Sequence, residues 1–196
     1  MEKEQYLSKL SSYQKLSVGL SAYLNYAMHQ TNFSKMEKIS LESMEPDSFY
    51  YLAKGNGRLF VYDAENEQEI TILFFQAQDM LPELKSISKY VKGQLFMQFL
   101  KDSELISIPN NHTKNIHKLF HESATLIAEI NAELLVKIII VSTGLKIQDA
   151  DQRLHKLLES FPTVFSQTAV KDVASYLGIH SSTLSAMRNK SKKHTR

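Results

Sequence analysis

The sequence predicts an α+β fold: a jelly roll of antiparallel strands with helices ahead of it, a long helix behind it, and a small helical unit at the C-terminal end. Three observations predict this. Apolar residues recur at helical spacing up to Gln30 and again from Thr113, and between them they come in short runs bounded by turn residues. The stretch Thr113 to Ser142 contains neither proline nor glycine. Charge is also segregated: Lys171 to Arg196 holds six basic residues against one acid, which leaves 17 basic and 20 acidic side chains ahead of it. A basic tail on an otherwise slightly acidic chain points to an anionic partner, nucleic acid above all.

Composition excludes several classes. With 196 residues, 43% hydrophobic and 22% charged, the chain has room for one large domain or two modest ones and is far from a disordered profile. The absence of cysteine removes disulfide scaffolds, thiol nucleophiles, Cys-type zinc sites and iron–sulfur clusters. Uninterrupted apolar runs such as Ile72–Phe75 and Ile138–Val141 are four residues each, and none exceeds five, far short of the ~20 of a membrane helix. Glu2 and Glu4 stand where a signal peptide has its basic flank. The expectation is a cytoplasmic protein with no membrane partner.

The elements follow in order. Leu7, Leu10, Tyr13, Leu16, Leu20, Tyr23 and Leu24 predict one or two amphipathic helices packed on the protein's own core. From Asn32 to Pro109, runs such as Phe49–Leu52, Leu59–Tyr62, Ile70–Phe75, Leu95–Leu100 and Leu105–Ile108 predict strands. Lys54-Gly55-Asn56-Gly57 and Asp63–Glu67 read as turns between them, with Gly55, Asn56 and Gly57 all tolerant of positive φ. Strand character lapses from Met80 to Tyr90, where a short helix is expected to begin near Pro82.

Ile116, Leu119, Ser123, Leu126 or Ile127, Ile130, Leu134, Ile138 and Val141 then recur every three to four residues and predict one helix of ~30 residues, stopped at Gly144. At ~45 Å it is longer than a small domain requires, which suits pairing with a second copy. The candidate dimer residues are Leu119, Leu126, Ile127, Ile130, Leu134 and Ile138. Asp149 or Asp151 leads the next helix, which Phe161-Pro162 ends, and two more lie on either side of Gly178.

Residues 168–190 meet the demands of a helix-turn-helix. Ala174 is small where the second helix crosses, Gly178 suits the turn, and Val170, Val173, Leu177, Ile179, Leu184 and Met187 supply the apolar face. Ser181 or Ser182 can cap the second helix. Its outward face, followed by Lys190, Lys192 and Lys193, suits a major groove with phosphates near the C-terminal end. The candidate contacts to double-stranded DNA are Thr168, Lys171, His180, Ser181, Ser182, Thr183, Ser185, Arg188, Asn189 and Lys190.

This order of elements resembles the Crp/Fnr family of bacterial transcription regulators, in particular its short Bacteroidetes-type members, over Leu16 to Lys193. Lys171–Ser185 resembles the family's helix-turn-helix, Phe49–Gly55 the strand and turn of its cyclic-nucleotide-binding-like domain, and Asp151–Phe161 the helix between dimer helix and reader. The resemblance implies a homodimeric, non-enzymatic regulator on a pseudo-palindromic operator. It divides the chain into residues 1–112 (roll with N-terminal helices), 113–142 (dimerisation helix) and 143–196 (DNA-binding unit).

It also implies a ligand pocket in the roll at Glu83 and Leu84, with Met80 and Met97 near it, as a sensor for an unidentified small-molecule effector or the relic of one. The segment Leu81-Pro82-Glu83-Leu84 keeps only the Glu-Leu of the family's phosphate turn, and no arginine follows; Lys85, Lys89 and Lys92 cannot supply a bidentate fork. Negligible affinity for cyclic AMP or cyclic GMP is therefore expected. On the reader, Ser182 and Ala186 stand where the family often places arginine or glutamate, which leaves base readout to His180, Ser181, Ser185, Arg188 and Asn189.

Two other readings compete. One is a degenerate regulator acting through protein contacts. The other is a metal-dependent cupin-type enzyme, which the histidine-free strand region disfavours; His117 and His121 have ligand spacing on a helix but read as surface residues. No cofactor or metal is expected.

Overall fold

A computed structural model describes residues 2–44, 48–81 and 91–194, with side chains up to Lys190 in the last helix. Helices α1 (Glu2–Tyr13) and α2 (Val18–Ala27) lead into eight strands: β1 (His29–Phe33), β2 (Lys38–Ser40), β3 (Phe49–Lys54), β4 (Asn56–Asp63), β5 (Gln68–Gln76), β6 (Met80–Leu81), β7 (Gln94–Phe99) and β8 (Ser103–Ile108). They form two antiparallel four-stranded sheets, ordered β1-β8-β3-β6 and β2-β7-β4-β5. The fold class and the jelly roll are as the apolar periods predict. Side chains alternate across the pleat: Leu52 and Leu105 point between the sheets with Leu59, Phe75 and Phe99, while Tyr51 and Ile106 point out under the helices. There Tyr6 of α1 stacks on Tyr51, ring centroids 4.6 Å apart and planes 9° apart.

The predicted Gly55-Asn56-Gly57 turn is tighter than expected. Only Gly55 has positive φ (+102°), and a Cβ there would stand 1.9 Å from Ser103 Oγ. Asn56 and Gly57 already belong to β4. Because β3 and β4 lie in different sheets, Gly55 is the corner where the chain changes sheet. The exposed edge strand β1, which pairs with β8, carries no apolar run and had no signature in the sequence.

The long helix predicted from Thr113 to Ser142 is two helices, α3 (Asn110–Leu119) and α4 (Ser123–Ile147). Phe120 breaks it, with φ −128° and ψ 102°. The break turns its ring inward against Tyr23 of α2, centroids 5.7 Å apart, over the bare face of Gly19. Ser17 Oγ donates to Glu122 at 2.5 Å and fixes the same corner. His117 and His121 therefore do not share a helical face. At the other end α4 runs past Ser142-Thr143-Gly144 and stops at Ile147, capped by Gln148 N–H on the Gly144 carbonyl. Gly144 is buried inside the helix, so the stop expected there lies instead at Gln148-Asp149.

After that joint come α5 (Ala150–Ser160), α6 (Val164–Gln167), α7 (Val170–Leu177) and α8 (Ser181–His194). Asp149 opens α5 with a reciprocal capping box to Gln152. The core of this unit (Leu154, Leu157, Val164, Val173, Leu184) also takes in Phe74 and Leu100 from the roll, so unit and roll share buried surface.

No helix among the described residues is long and apolar enough to cross a membrane. The candidate pocket residues Glu83 and Leu84, the helix expected near Pro82, and Lys85 and Lys89 fall outside the described residues. Lys92 is described, and pairs with Glu65 at 3.0 Å. Met97 is 1% exposed and is a core residue rather than a pocket wall: a Cβ on Gly57 would meet its methyl at 2.4 Å. Met80, 2% exposed, is likewise core, in the layer under the N-terminal helices.

Candidate nucleic-acid interface

Helices α7 and α8 form the helix-turn-helix that the spacing of Ala174 and Gly178 predicts. Gly178 closes α7 in the left-handed region (φ 65°, ψ 37°), donating to the Ser175 carbonyl, and Ile179 N–H donates to Ala174. Val173, Ala174, Leu177 and Leu184 are buried at the crossing, with Val170, Ile179 and Met187 packed on their rim. Replacing Gly178 with alanine is expected to cost ~1–2 kcal/mol, from the left-handed backbone. A Cβ there would also press on Leu145 of α4 at 3.1 Å. Urea denaturation measures this, and an unchanged midpoint would contradict it.

Of the candidate DNA contacts, Lys171, His180, Ser181, Ser182, Thr183, Ser185, Asn189 and Lys190 are exposed. Helix α8 starts at Ser181, so Ser181 and Ser182 lie in its first turn rather than ahead of it as caps, and the His180 carbonyl accepts from Leu184 N–H. Arg188 is half-buried, its guanidinium 4.0 Å from the Phe165 ring centroid. That stacking leaves its edge donors available and holds the side chain in one direction. Thr168 is the exception. It is 9% exposed, and its hydroxyl donates inward to Asp172 Oδ2 at 3.2 Å, so its role is to hold that carboxylate rather than to touch a ligand.

Asp172 leads to the residues that sequence reasoning missed. It is 4% exposed on the back of α7, and its Oδ1 lies 3.2 Å from Nη1 of Arg58, itself 1% exposed in β4. Arg58 donates Nε to Gln98 at 2.7 Å, Nη1 to Thr71 at 3.0 Å and Nη2 to Glu69, with Phe60 below the guanidinium at 4.4 Å. Around this pair, Thr71 N–H donates to Ser175 Oγ (3.1 Å), Asn56 to Gln167 (2.6 Å) and Gln76 to the Ser160 carbonyl (2.6 Å). Phe74 meets Tyr176 and Phe161 at 5.0 and 5.6 Å. The first helix of the helix-turn-helix is thus bolted to strand β5, while the outer face of the second is exposed. An arginine within the otherwise apolar run Gly57–Val61 was the available signal.

Burial pushes the Glu69 carboxyl up, but Lys38 and Arg58 outweigh it and hold it below the ordinary carboxylate range. Glu133 behaves alike: burial opposes, and its bonds from Lys9 and Tyr13 prevail. A carboxyl lowered in the folded state contributes stability that is complete above its unfolded value and is lost as pH falls through its folded value. Unfolding free energy is expected to drop between about pH 5 and pH 3, less steeply in Glu69→Gln. Urea titrations across that window test this; parallel curves for the two proteins would contradict it.

The dimer residues divide. Leu126, Ile130 and Leu134 are 4%, 4% and 7% exposed and pack into the protein's own core with α1 and the roll, and Ile127 is half-buried. Leu119, 63% exposed, belongs to α3. Ile138 alone of the candidates stays on the outer face of α4, beside exposed Leu135, Val136 and Ile139. Ala124, Ala128, Asn131, Leu135, Ile138 and Ser142 run along that exposed face at alternating spacings of four and three.

No protein-family model matches the sequence, and no curated protein matches it. Solved structures do. A putative Crp/Fnr-family transcriptional regulator from Eubacterium rectale superposes with TM-score 0.69 at 17% identity, over 93% of this chain and 86% of that one. FixK2 from Bradyrhizobium japonicum gives TM-score 0.66 at 17% identity, over 86% and 85%. The c-di-GMP-responsive global regulator CLP from Xanthomonas campestris gives 0.64 at 11% identity, over 91% and 93%. The chain therefore has the fold of the Crp/Fnr transcription regulators, from the N-terminal helices through the roll to the helix-turn-helix.

Proposed function

We propose that this chain is a Crp/Fnr-type transcription regulator that binds double-stranded DNA as a homodimer and catalyses no reaction. The observation that carries this reading is the exposed polar face of α8, from His180 to Lys190, on a helix-turn-helix whose own core is fully packed. Serine, threonine and asparagine side chains on that face can bond base edges and phosphates, and Lys171 stands on the same unit to meet the backbone.

The second copy pairs along the outer face of α4. The seam Ala124–Ser142 has heptad spacing, and water-exposed Leu135, Val136, Ile138 and Ile139 on one helix are the apolar surface a coiled coil buries. A two-fold dimer places its readers one DNA turn apart, so the operator is a pseudo-palindrome with half-site centres ~34–36 Å apart. Negligible affinity for cyclic AMP and cyclic GMP is expected, because the segment Leu81–Gln98 holds no arginine and Arg58, elsewhere in the roll, is paired with Asp172 and Glu69. Isothermal titration showing micromolar binding of either nucleotide would overturn that.

Fluorescence anisotropy with a labelled duplex of mixed sequence tests DNA binding. Affinity should fall steeply between about 50 and 200 mM salt, and Lys171→Ala should reduce the logarithmic salt slope by about one. Binding that ignores salt would contradict the reading and favour a protein partner.

A further inference from the structure

Behind the reader, the C-terminal half of α4, helix α5, strand β5 and helix α7 enclose an open cleft of about 450 Å³. We propose that it binds an amphipathic carboxylate with a flat apolar body. Its walls are Phe74 of β5, Val141 and Leu145 of α4, Phe161 after α5, and Tyr176 of α7. The three rings stand edge to face or tilted; Phe74 and Phe161 are buried and Tyr176 half-buried, and together they form an apolar floor to the cleft. The volume lies within the ~300–1,000 Å³ usual for small-molecule sites, which combine apolar walls with a few directed polar groups.

The polar group that selects an anion is Arg153. It lines the cleft half-buried, its Nε donating to the Leu177 carbonyl at 2.9 Å and its Nη1 to the Gln148 carbonyl. Both acceptors are neutral backbone groups, and no carboxylate pairs with this guanidinium among the described residues. Its remaining N–H donors are those a carboxylate takes in a fork. Lys156, one turn further along α5, is exposed on the cleft's lining and adds a second positive charge. One acid, Glu159, also stands on the cleft's lining, with its carboxylate 3.3 Å from His155 Nδ1. Lys137, on the α4 side, is neutralised by Asp79 at 2.7 Å and contributes only its stem.

The cleft and the dimer seam lie on adjoining faces of α4 and meet at Leu145. Lys137 and Val141 continue the face of α4 that buries Leu134, Leu135 and Ile139 point away from it, and Leu145 is a cleft wall that also stands three residues beyond Ser142 on the seam. A molecule in the cleft touches roll, dimer helix and reader at once. It therefore favours the docked arrangement over any in which the reader has swung away. That consequence for DNA rests on the DNA-binding reading; the binding itself does not.

Isothermal titration of the full-length protein with 2-naphthoate, and with its uncharged isostere 2-naphthamide, tests the site in the absence of DNA. One naphthoate is expected per chain, with naphthamide at least tenfold weaker. Lys156→Glu, at an exposed position, should weaken naphthoate about tenfold and leave the circular dichroism unchanged; Arg153→Gln should abolish binding. No saturable binding, equal affinity for acid and amide, or a Lys156→Glu protein that binds like wild type would each overturn the proposal. Because DNA is absent, these results are independent of whether α8 reads DNA.

Discussion

Arg58→Met is expected to lower the unfolding free energy by ~3–5 kcal/mol, which is the cost of breaking a buried ion pair and stranding one partner. The stranded partner is Asp172, 4% exposed; among the described residues its Oδ2 is bonded to the Thr168 hydroxyl and its Oδ1 faces the guanidinium. Methionine keeps much of the apolar stem over Phe60 but returns no charge and no donors to Gln98, Thr71 or Glu69. For a chain of this size the loss corresponds to a fall in melting temperature of roughly 10 °C. Adding Asp172→Asn to Arg58→Met should recover a large part of it, since an amide tolerates burial better than an unpaired carboxylate. A single-variant loss below about 1 kcal/mol would mean the joint between roll and reader rests on Phe74 and its neighbours instead.

Leu135→Glu combined with Ile139→Glu is expected to give a folded monomer whose affinity for an operator is roughly a hundredfold or more below wild type. Both side chains are more than half exposed in the single chain, so charging them removes no contact from its own core. In a paired helix they would be buried opposite their own copies, where like charges oppose association. Losing the dimer removes the effective-concentration gain of two linked half-sites, which is of order 10²–10⁴. Leu134→Glu would act differently, by unfolding the layer under α1, because Leu134 is 7% exposed there. Sedimentation and anisotropy measured together separate the cases. A dimer that survives the double substitution would place the interface elsewhere.

Much of the fold was legible because period and punctuation agree locally. Short aromatic and β-branched runs bounded by turn residues, such as Phe49–Leu52 and Leu105–Ile108, mark strands, and the pair Ala174 and Gly178 with six apolar positions marks the helix-turn-helix, whatever the rest of the chain does. Features that depend on distant partners were not legible. From Leu134 to Val141 helix α4 is apolar nearly all round, so periodicity could not say which side meets its own roll and which is left bare. The break at Phe120 follows from a ring contact with Tyr23 across the chain, and no proline or glycine announces it. Gly144 read as a stop, yet α4 continues over it because the turn is made at Asp149, whose capping box starts α5. On the candidate site, the exposed face of α8 was readable from spacing. Thr168 and Asp172 were not, since their inward direction is set by Arg58.

The most direct test of the central claim is selection of genomic fragments by the purified protein at two salt concentrations, without added ligand. The account predicts recovery of one pseudo-palindromic sequence with half-sites a single helical turn apart, weakening as salt rises. Recovery of unselected sequence at both salts, with and without cell extract, would contradict it.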